Sequence, residues 1–348
     1  MTVPNKRNLT LKDVALKLGT STATISNAFN RPDQLSAKKR KFILEACEEL
    51  GFSGPNKAAQ ILRKGKSNII ALVLADSIDY MVTDPVANSF IEGVSKVLKE
   101  EGKHLLLYSG DSSTLTDVED FVDGFICYGA PRNNELLANI QAQRKPVVTV
   151  DFNLVNRPSV NIDNETSAYE VASLAVKPTD TVAIIGLRLI EANTTCRIYD
   201  SPLLDLEKCI TRRRLNGFTK AIEETGNSVQ NDMIWHIPEN NHKYAKQAAL
   251  EVLSAHPRPN VVLCMSDLVA IEVLYCATAA NIKVPEELRI TGFDGINEAL
   301  RVSPSISTVC QASVQKGVSA ATMLLSGVKE SVVLPCEIKT GETAAIDD

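Results

Sequence analysis

The apolar positions of residues 9–50 repeat with a helical period and predict three short helices. Thr10 is placed to begin the first helix and Gly19 to end it, and Ser21 begins a second helix two residues later. The outward face of this second helix is small and polar, so it can approach a DNA groove and hydrogen-bond to phosphates or base edges. The pattern fits a helix-turn-helix that contacts DNA, and it also fits an ordinary helical hairpin with a solvated face.

Ser36 begins the third helix and Gly51 ends it. The segment that follows, residues 55–66, starts with Pro55 and continues with alanine and leucine residues that favour a helix. About two helical turns are too short to persist alone in water. The segment is therefore either a helix that forms only when it is docked or a flexible charged linker.

From residue 68 onward, short apolar runs alternate with helical segments, which is typical of parallel sheets covered by helices. The alternation restarts after residues 161–163, so we expect two lobes that meet at a cleft. Ligands of such sheets bind beyond the carboxyl ends of the strands. The predicted strands are residues 69–75, 104–108, 125–128, 146–151, 182–185, 233–237, 261–265 and 289–291.

Residues 187–210 form an unusually long connection between a predicted strand and the helix predicted over 213–224. Connections of this length are usually functional or mobile. This one carries four polar side chains that suit ligand contacts. It is either a cap over the cleft or a disordered loop. The four side chains are Arg188, Asn193, Arg197 and Tyr199.

The charge is unevenly distributed along the chain. Residues 1–66 carry 13 Lys/Arg against 5 Asp/Glu, a net +8, whereas the rest carries 24 against 37, a net −13. A small basic end on a large acidic body is expected if only that end contacts a polyanion, although a solvated basic surface would give the same balance.

The eight cysteines include no C-x-x-C pair, so we expect reduced thiols and no metal site. No apolar run is long enough to cross a bilayer, and residues 1–8 are too polar for a secretory leader. We therefore expect a cytoplasmic protein that makes no membrane contact and carries no cofactor.

Nine short motifs occur in order along the chain. They are TLKDVA at 10–15, STATIS at 21–26, LS at 35–36, ELGF at 49–52, PN at 55–56, RLNGF at 214–218, CMSD at 264–267, VPEELRITGFD at 284–294 and PSISTV at 304–309. Together they make the chain resemble the LacI/GalR family of bacterial transcription regulators over nearly its whole length.

The resemblance implies a three-part architecture. Residues 1–54 would form a small all-α helix-turn-helix domain that binds DNA, and residues 55–66 a hinge helix or linker. Residues 67–348 would form a two-lobed α/β core similar to periplasmic binding proteins, with parallel sheets, which binds the effector and dimerises. The chain is expected to cross between the lobes near 162–164, 291–294 and 326–330.

The resemblance also implies that a homodimer binds double-stranded, pseudo-palindromic operator DNA, with Leu62 of each hinge helix inserted into the minor groove. Base contacts fall on Thr22, Ala23 and Asn27. Many family members have Arg where this chain has Asn27; Asn prefers adenine or makes no base contact, so the operator sequence stays open. The full predicted set is Thr10, Ser21, Thr22, Ala23, Thr24, Ser26, Asn27, Asn30, Asn56, Ala59 and Leu62.

Effector-binding positions of the family fall on carboxylate, guanidinium and hydroxyl side chains, which suit a polyol such as a sugar or nucleoside. A pentose or nucleoside is the narrower expectation. The first-lobe segment 83–87 has no aromatic residue. Taken alone, Asp294 also fits a helix cap, and Arg214 a surface cation. The predicted set is Asp84, Asp151, Arg188, Arg214, Ser266 and Asp294.

The leading hypothesis is a transcriptional repressor controlled by a small effector. A two-lobed solute-binding protein and an enzyme on a doubly wound sheet are the alternatives. The sequence contains no G-x-S-x-G elbow, phosphate-binding glycine loop or H-E-x-x-H motif, so no catalytic residue is predicted. The last eight residues carry no leucine heptads, which favours a dimer over a tetramer.

Overall fold

The computed structural model describes residues 9–54, 66–204 and 209–344. The chain forms two compact units, residues 1–67 and 68–348. The predicted hinge residues Asn56, Ala59 and Leu62 lie outside the described residues.

Side-chain caps begin each of the three helices of the first unit. Thr10 and Asp13 form a reciprocal capping box, because each side chain accepts a hydrogen bond from the backbone N–H of the other residue. Ser21 and Ser36 accept from the backbone three residues on. The helices are α1 (Leu11–Lys17), α2 (Thr22–Asn30) and α3 (Ala37–Glu49).

A small apolar core joins these three helices. Phe29 packs edge-on against Phe52, with ring centroids 6.0 Å apart. Arg40 on α3 donates from Nε to the carbonyl of Ala28 at 3.0 Å and fastens α3 to the last turn of α2. The buried apolar residues of this core are Val14, Ala15, Ile25, Ala28, Ile43, Cys47 and Phe52.

The second unit contains two lobes. The sheet of lobe 1 is fully parallel, with strand order β12-β5-β4-β3-β1-β2. Its strands are β1 (Ile69–Leu74), β2 (His104–Tyr108), β3 (Gly124–Tyr128), β4 (Val147–Val150), β5 (Ser159–Ile162) and β12 (Val332–Leu334). Its helices are α4 (Ile78–Met81), α5 (Pro85–Glu100), α6 (Asn134–Ala142) and α11 (Ser313–Ser326).

Lobe 2 has the strand order β10-β9-β6-β8-β7, parallel except that β7 runs antiparallel to β8. Its strands are β6 (Val182–Leu187), β7 (Cys196–Arg197), β8 (Ile234–Ile237), β9 (Val261–Cys264) and β10 (Arg289–Thr291). Its helices are α7 (Asn164–Ser173), α8 (Ile210–Glu224), α9 (His242–Leu253) and α10 (Asp267–Ala279). A separate antiparallel pair is formed by β11 (Thr308–Cys310) and β13 (Glu337–Lys339).

The chain crosses between the lobes three times. The first crossing lies between β5 and α7, within the predicted range 162–164. The second was predicted at 291–294, but backbone bridges from Thr291 to Ser307 and from Asp294 to Cys310 hold that segment against lobe 2. The crossing therefore lies after Cys310, where Ala312 adopts a left-handed φ of 50° before α11 begins.

The third crossing was predicted at 326–330, and the structure moves it to residues 335–336. β12 pairs with β5 in the sheet of lobe 1, whereas β13 pairs with β11. Each of β11, β12 and β13 has three residues, which is too short for a periodic pattern in the sequence.

Helix α11 packs closely against α5. A Cβ on Gly317 would lie 2.2 Å from the carbonyl oxygen of Phe90, so only glycine permits this approach. The close packing brings Lys316, the residue before this glycine, beneath the carboxyl end of β4.

Candidate functional site

Residues of α2 form the candidate DNA-contacting face. Thr22 and Ala23 are exposed in its first turn, and Asn27 is half-buried one turn later. Other residues of the predicted set also have structural partners. Ser21 and Thr10 cap helices, and the amide of Asn30 donates to the carbonyl of Ser26 at 3.1 Å.

A cleft of about 450 Å³ lies between the two lobes of the second unit. All six predicted effector-binding residues line it. Lobe 1 contributes two of them and lobe 2 contributes four. They are Asp84 and Asp151, and Arg188, Arg214, Ser266 and Asp294.

Two of the six also cap helices. Asp84 Oδ1 accepts from the backbone N–H groups of Val86 and Ala87 at the start of α5, at 2.8 and 2.9 Å. Ser266 Oγ accepts from the Val269 N–H at the start of α10, at 3.2 Å. In each case the cap fixes the side chain at the cleft wall.

Three of the six adopt a left-handed backbone. The φ angles are 64° for Asp151, 52° for Arg188 and 127° for Asp294, and each residue follows the carboxyl end of a strand. Such conformations cost on the order of 1–3 kcal/mol for non-glycine residues and cluster at functional sites. The backbone bridge from Asp294 to Cys310, and not a helix cap, holds Asp294 in place.

Five polar residues form a connected group at the base of the cleft, which we name the buried array. Lys316 Nζ lies 2.8 and 3.0 Å from the two carboxylate oxygens of Asp151, and it donates to Gln311 Oε1 at 2.7 Å. Gln311 Nε2 donates to Asp294 Oδ1 at 2.6 Å, and Arg214 Nη1 lies 3.5 Å from that oxygen. The array thus connects groups of both lobes.

Arg214 is buried at the cleft wall and is not a surface cation. Its Nη1 donates to the carbonyl of Met265 at 2.7 Å, and its Nε donates to Asn164 Oδ1 at 3.0 Å. The guanidinium carbon lies 3.6 Å from the ring centroid of Phe293. Burial raises the pKa of Asp294 well above the ordinary carboxyl value, and the positive charge of Arg214 opposes that shift.

A second polar group lies at the exposed edge of the cleft and consists of Asp76, Tyr80, Arg132 and Arg188; we name it the rim group. Arg188 Nη1 of lobe 2 donates to Asp76 Oδ2 of lobe 1 at 2.6 Å. Arg132 Nε lies 3.5 Å from Asp76 Oδ1, and its side chain is 59% exposed. The Arg188 guanidinium lies 5.4 Å from the centre of the Tyr80 ring.

Asn240, which the sequence did not single out, connects the lobes next to the rim group. Its backbone N–H donates to the Tyr80 hydroxyl at 3.0 Å, and its side-chain amide approaches Asp84 Oδ2 at 3.5 Å. Its Oδ1 accepts from Ser266 Oγ at 2.6 Å. Burial raises the pKa of Tyr80 to about 12, so this hydroxyl stays neutral at physiological pH.

Two tyrosines supply aromatic surface that segment 83–87 lacks. Tyr80 lies just before that segment, and Tyr128 ends β3 and stacks on Phe90 at 4.3 Å. The position of Tyr128 at the carboxyl end of a strand was a usable signal. Lys316 gave no signal, because a lysine within an amphipathic helix is normally exposed.

The described part of the long connection, residues 188–204 with 209, includes β7, and its residues Leu189, Ile190 and Ile198 pack into the core of lobe 2. It begins after Leu187 and ends where α8 starts, at Ile210 and not at 213. Arg188 lines the cleft, whereas Asn193, Arg197 and Tyr199 do not. The Arg197 guanidinium instead lies 4.6 Å from the Trp235 ring.

His236 anchors the start of this connection from inside lobe 2. Its Nδ1 accepts from the backbone N–H of Leu189 at 3.1 Å, so its Nε2 donates to the carbonyl of Ala192 at 3.0 Å. Burial lowers the pKa of His236, and the neutral ring is the form that makes both bonds.

The described residues contain no cluster of three side chains suited to a metal ion. In the same part of the chain, no helix combines the length and apolar character needed to span a bilayer.

Two family models match the chain. Residues 10–56 match bacterial regulatory proteins of the lacI family, and residues 204–344 match a periplasmic binding protein-like domain. The HTH-type transcriptional regulator Rv3575c of Mycobacterium tuberculosis is 34% identical, over 97% of this chain and 98% of its own length.

Solved structures match along the whole chain as well. A lacI-family transcriptional regulator from Corynebacterium glutamicum has a TM-score of 0.68 and 26% identity, covering 98% of this chain and all of its own. The complex of the transcriptional regulator CelR with cellobiose has a TM-score of 0.65 and 21% identity, covering 96% and 99%. The second likeness concerns the fold alone.

Proposed function

Because this chain belongs to the lacI family of bacterial regulatory proteins, a family of DNA-binding transcriptional regulators and not of enzymes, we propose that it is a repressor controlled by a small effector. The effector would bind in the cleft between the lobes of the core. Operator DNA would be bound by a homodimer in the cytoplasm.

One observation carries the effector proposal. Six side chains predicted from the sequence line a single cleft, and they come from both lobes. A molecule that contacts both lobes stabilises their closed arrangement, since it gains its full set of hydrogen bonds only there. This is how an effector could change the shape of the core.

The chemistry of the cleft favours a neutral sugar or nucleoside. Carboxylates accept hydrogens from hydroxyl groups, Arg214 can donate to oxygen atoms, and Tyr80 and Tyr128 offer flat apolar surfaces. The CelR complex contains cellobiose, which supports a sugar as the effector class.

The DNA-binding half is tested by fluorescence anisotropy with the DNA upstream of the chain's own gene. We expect tight binding that weakens steeply with salt, because lysine and arginine side chains displace counterions from phosphates. Thr22→Ala and Asn27→Ala should each weaken binding to the preferred site more than binding to random DNA. Asp232→Asn, at an exposed position of the second unit, serves as the control. Equal affinity for the upstream and random DNA would contradict the proposal.

The effector half is tested by a thermal-shift screen of the full chain with D-ribose, cellobiose, adenosine and cytidine. A ligand that binds only the folded chain raises its apparent stability. We expect one of these classes to raise the melting temperature and to change operator affinity, and DNA must change effector affinity by the same factor. A shift that persists in Asp151→Asn and Asp294→Asn variants would place the binding site elsewhere.

A further inference from the structure

Lys316 is fully buried at 0% exposure, yet it does not line the cleft. It lies behind the cleft wall, on the first turns of α11, and reaches Asp151 and Gln311, which do line the cleft. A buried ammonium group is costly to desolvate, so its retention calls for close partners on every side.

The ammonium has three donors, and three oxygen atoms surround it: both oxygens of Asp151, at 2.8 and 3.0 Å, and Oε1 of Gln311, at 2.7 Å. The Asp151 carboxylate is thereby held against lobe 1 with its negative charge balanced. It can still accept further hydrogen bonds, because a carboxylate has about four acceptor sites.

The same ammonium fixes the orientation of the Gln311 amide. An ammonium can only donate, so the amide atom that faces it must be the carbonyl oxygen. The amide nitrogen then faces Asp294 Oδ1, at 2.6 Å. Lys316 therefore determines how a residue of the second crossing contacts the carboxyl group of lobe 2.

We propose that Lys316 is a positioning residue of the effector site, which orders Asp151 and, through Gln311, Asp294 into one array that accepts a neutral polyhydroxyl ligand. The proposal rests on the proposed function, since it assumes that an effector binds in this cleft. Lys316 balances the charge of Asp151, so the cleft offers hydrogen-bond acceptors to hydroxyl groups without attracting an amine.

The test uses Lys316→Met in the full chain, with Lys145→Met as the matched control. Lys145 is also on lobe 1, and its ammonium is bonded to the backbone carbonyls of Glu119 and Val122, away from the cleft. The probes are D-ribose, cellobiose and adenosine as neutral ligands and D-glucosamine as a cation, titrated by calorimetry.

Lys316→Met should lower the affinity for the neutral probe that binds the wild-type chain by at least about tenfold. The reason is that the charge-assisted hydrogen bonds that orient the acceptor groups of the cleft are lost. The same substitution should raise the affinity for D-glucosamine by a similar factor, since Asp151 then carries an unbalanced negative charge. Lys145→Met should leave both affinities within about twofold. Unchanged affinities in Lys316→Met would overturn the proposal.

The double variant Lys316→Met with Asp151→Asn separates positioning from folding. It removes both charges, and replacing both partners of a buried pair is tolerated far better than breaking the pair. We expect it to fold, to bind the neutral probe weakly and to show no gain for D-glucosamine. A gain that persists in the double variant would contradict the role of Asp151.

If the wild-type chain binds none of the probes, the proposed effector class is rejected, but the role of Lys316 is not. A measurement without ligand then tests that role. Amide hydrogen exchange in Lys316→Met should rise at residues 151–153 in lobe 1 and also at 292–296 in lobe 2. In Lys145→Met it should rise only near 119–122. A rise confined to α11 in Lys316→Met would show a local structural role and would overturn the proposal.

Discussion

The buried array and the rim group use the same chemistry at opposite ends of one cleft. Each contains an arginine of lobe 2 near an aspartate, Arg214 with Asp294 in the array and Arg188 with Asp76 in the rim group. They differ in burial. Every member of the array is more than nine-tenths buried, whereas the Arg132 side chain at the rim is 59% exposed.

Burial changes what each contact contributes. Removing one partner of a buried pair leaves a charge without water and typically costs about 3–5 kcal/mol. The pair of Arg188 with Asp76, whose side chains are 23% and 14% exposed, is partly screened by solvent, so breaking it should cost less. The array is therefore suited to holding the base of the cleft in one arrangement, and the rim group to contacts that form and break as the lobes move.

The largest effect is expected for Arg214→Met. The substitution removes the donors that bond to the Met265 carbonyl and to Asn164 Oδ1, and it leaves Asp294 without its cation. The free energy of unfolding should therefore fall by about 3–5 kcal/mol. Urea unfolding measures this. Arg132→Met, at the exposed end of the same cleft, is the control. Equal losses of unfolding free energy in the two variants would contradict the difference between the buried array and the rim group.

The second effect concerns the array and pH. Because burial raises the pKa of Asp294, the folded chain holds this proton more tightly than the unfolded chain does. The resulting stabilisation is present below the ordinary carboxyl pKa and is lost as pH rises from about 4 through the raised value, by at most about 1.4 kcal/mol per pH unit. Asp294→Asn should remove this slope from the free energy of unfolding. Exposed Asp232→Asn should keep the wild-type slope.

The opposite pH dependence is expected at His236, which supports the segment carrying Arg188. Its pKa is lowered by burial, so the unfolded chain takes up the proton more readily. Stability from this residue is complete above pH about 6.5 and is lost as pH falls towards the lowered value. His236→Gln should flatten the profile of unfolding free energy between pH 5 and 7.

A smaller loss of stability than for Arg214→Met, roughly 1–2 kcal/mol, is expected for Arg188→Met, which also loses its hydrogen bond to the carbonyl of Pro238. Its consequence should be kinetic, because the contact with Asp76 joins the two lobes. A bound neutral sugar should dissociate several-fold faster from this variant in stopped-flow measurements. A destabilisation as large as that of Arg214→Met would show that the rim group is also structural.

Local signals in the sequence predicted the parts of the fold that depend on neighbouring residues. Thr10, Ser21 and Ser36 are caps in the structure as predicted, and strands 104–108 and 289–291 have the predicted bounds. Caps and alternating apolar runs act over a few residues, so a sequence displays them directly.

The end of the chain could not be predicted in this way. Strands β11, β12 and β13 pair with partners that are distant in sequence. Helix α11 belongs to lobe 1, whose other helices lie more than 150 residues earlier in the chain. The effector residues came from the family resemblance and not from spacing. Lys316 and Asn240 required the tertiary structure, because only the folded chain shows what faces them.

The place of α11 in lobe 1 has a consequence for synthesis on the ribosome. The strands β1–β5 emerge first, yet Ala320, Ala321 and Leu324, which cover one face of that sheet, belong to residues 313–326. At about 5–20 residues per second, that face waits roughly 8–30 s for its helix. Lobe 2, complete by residue 310 apart from its contacts with β13 and with residues 341–344, can fold in the meantime. The nascent chain thus exposes apolar surface of its first lobe longest, and chaperone binding would be directed there.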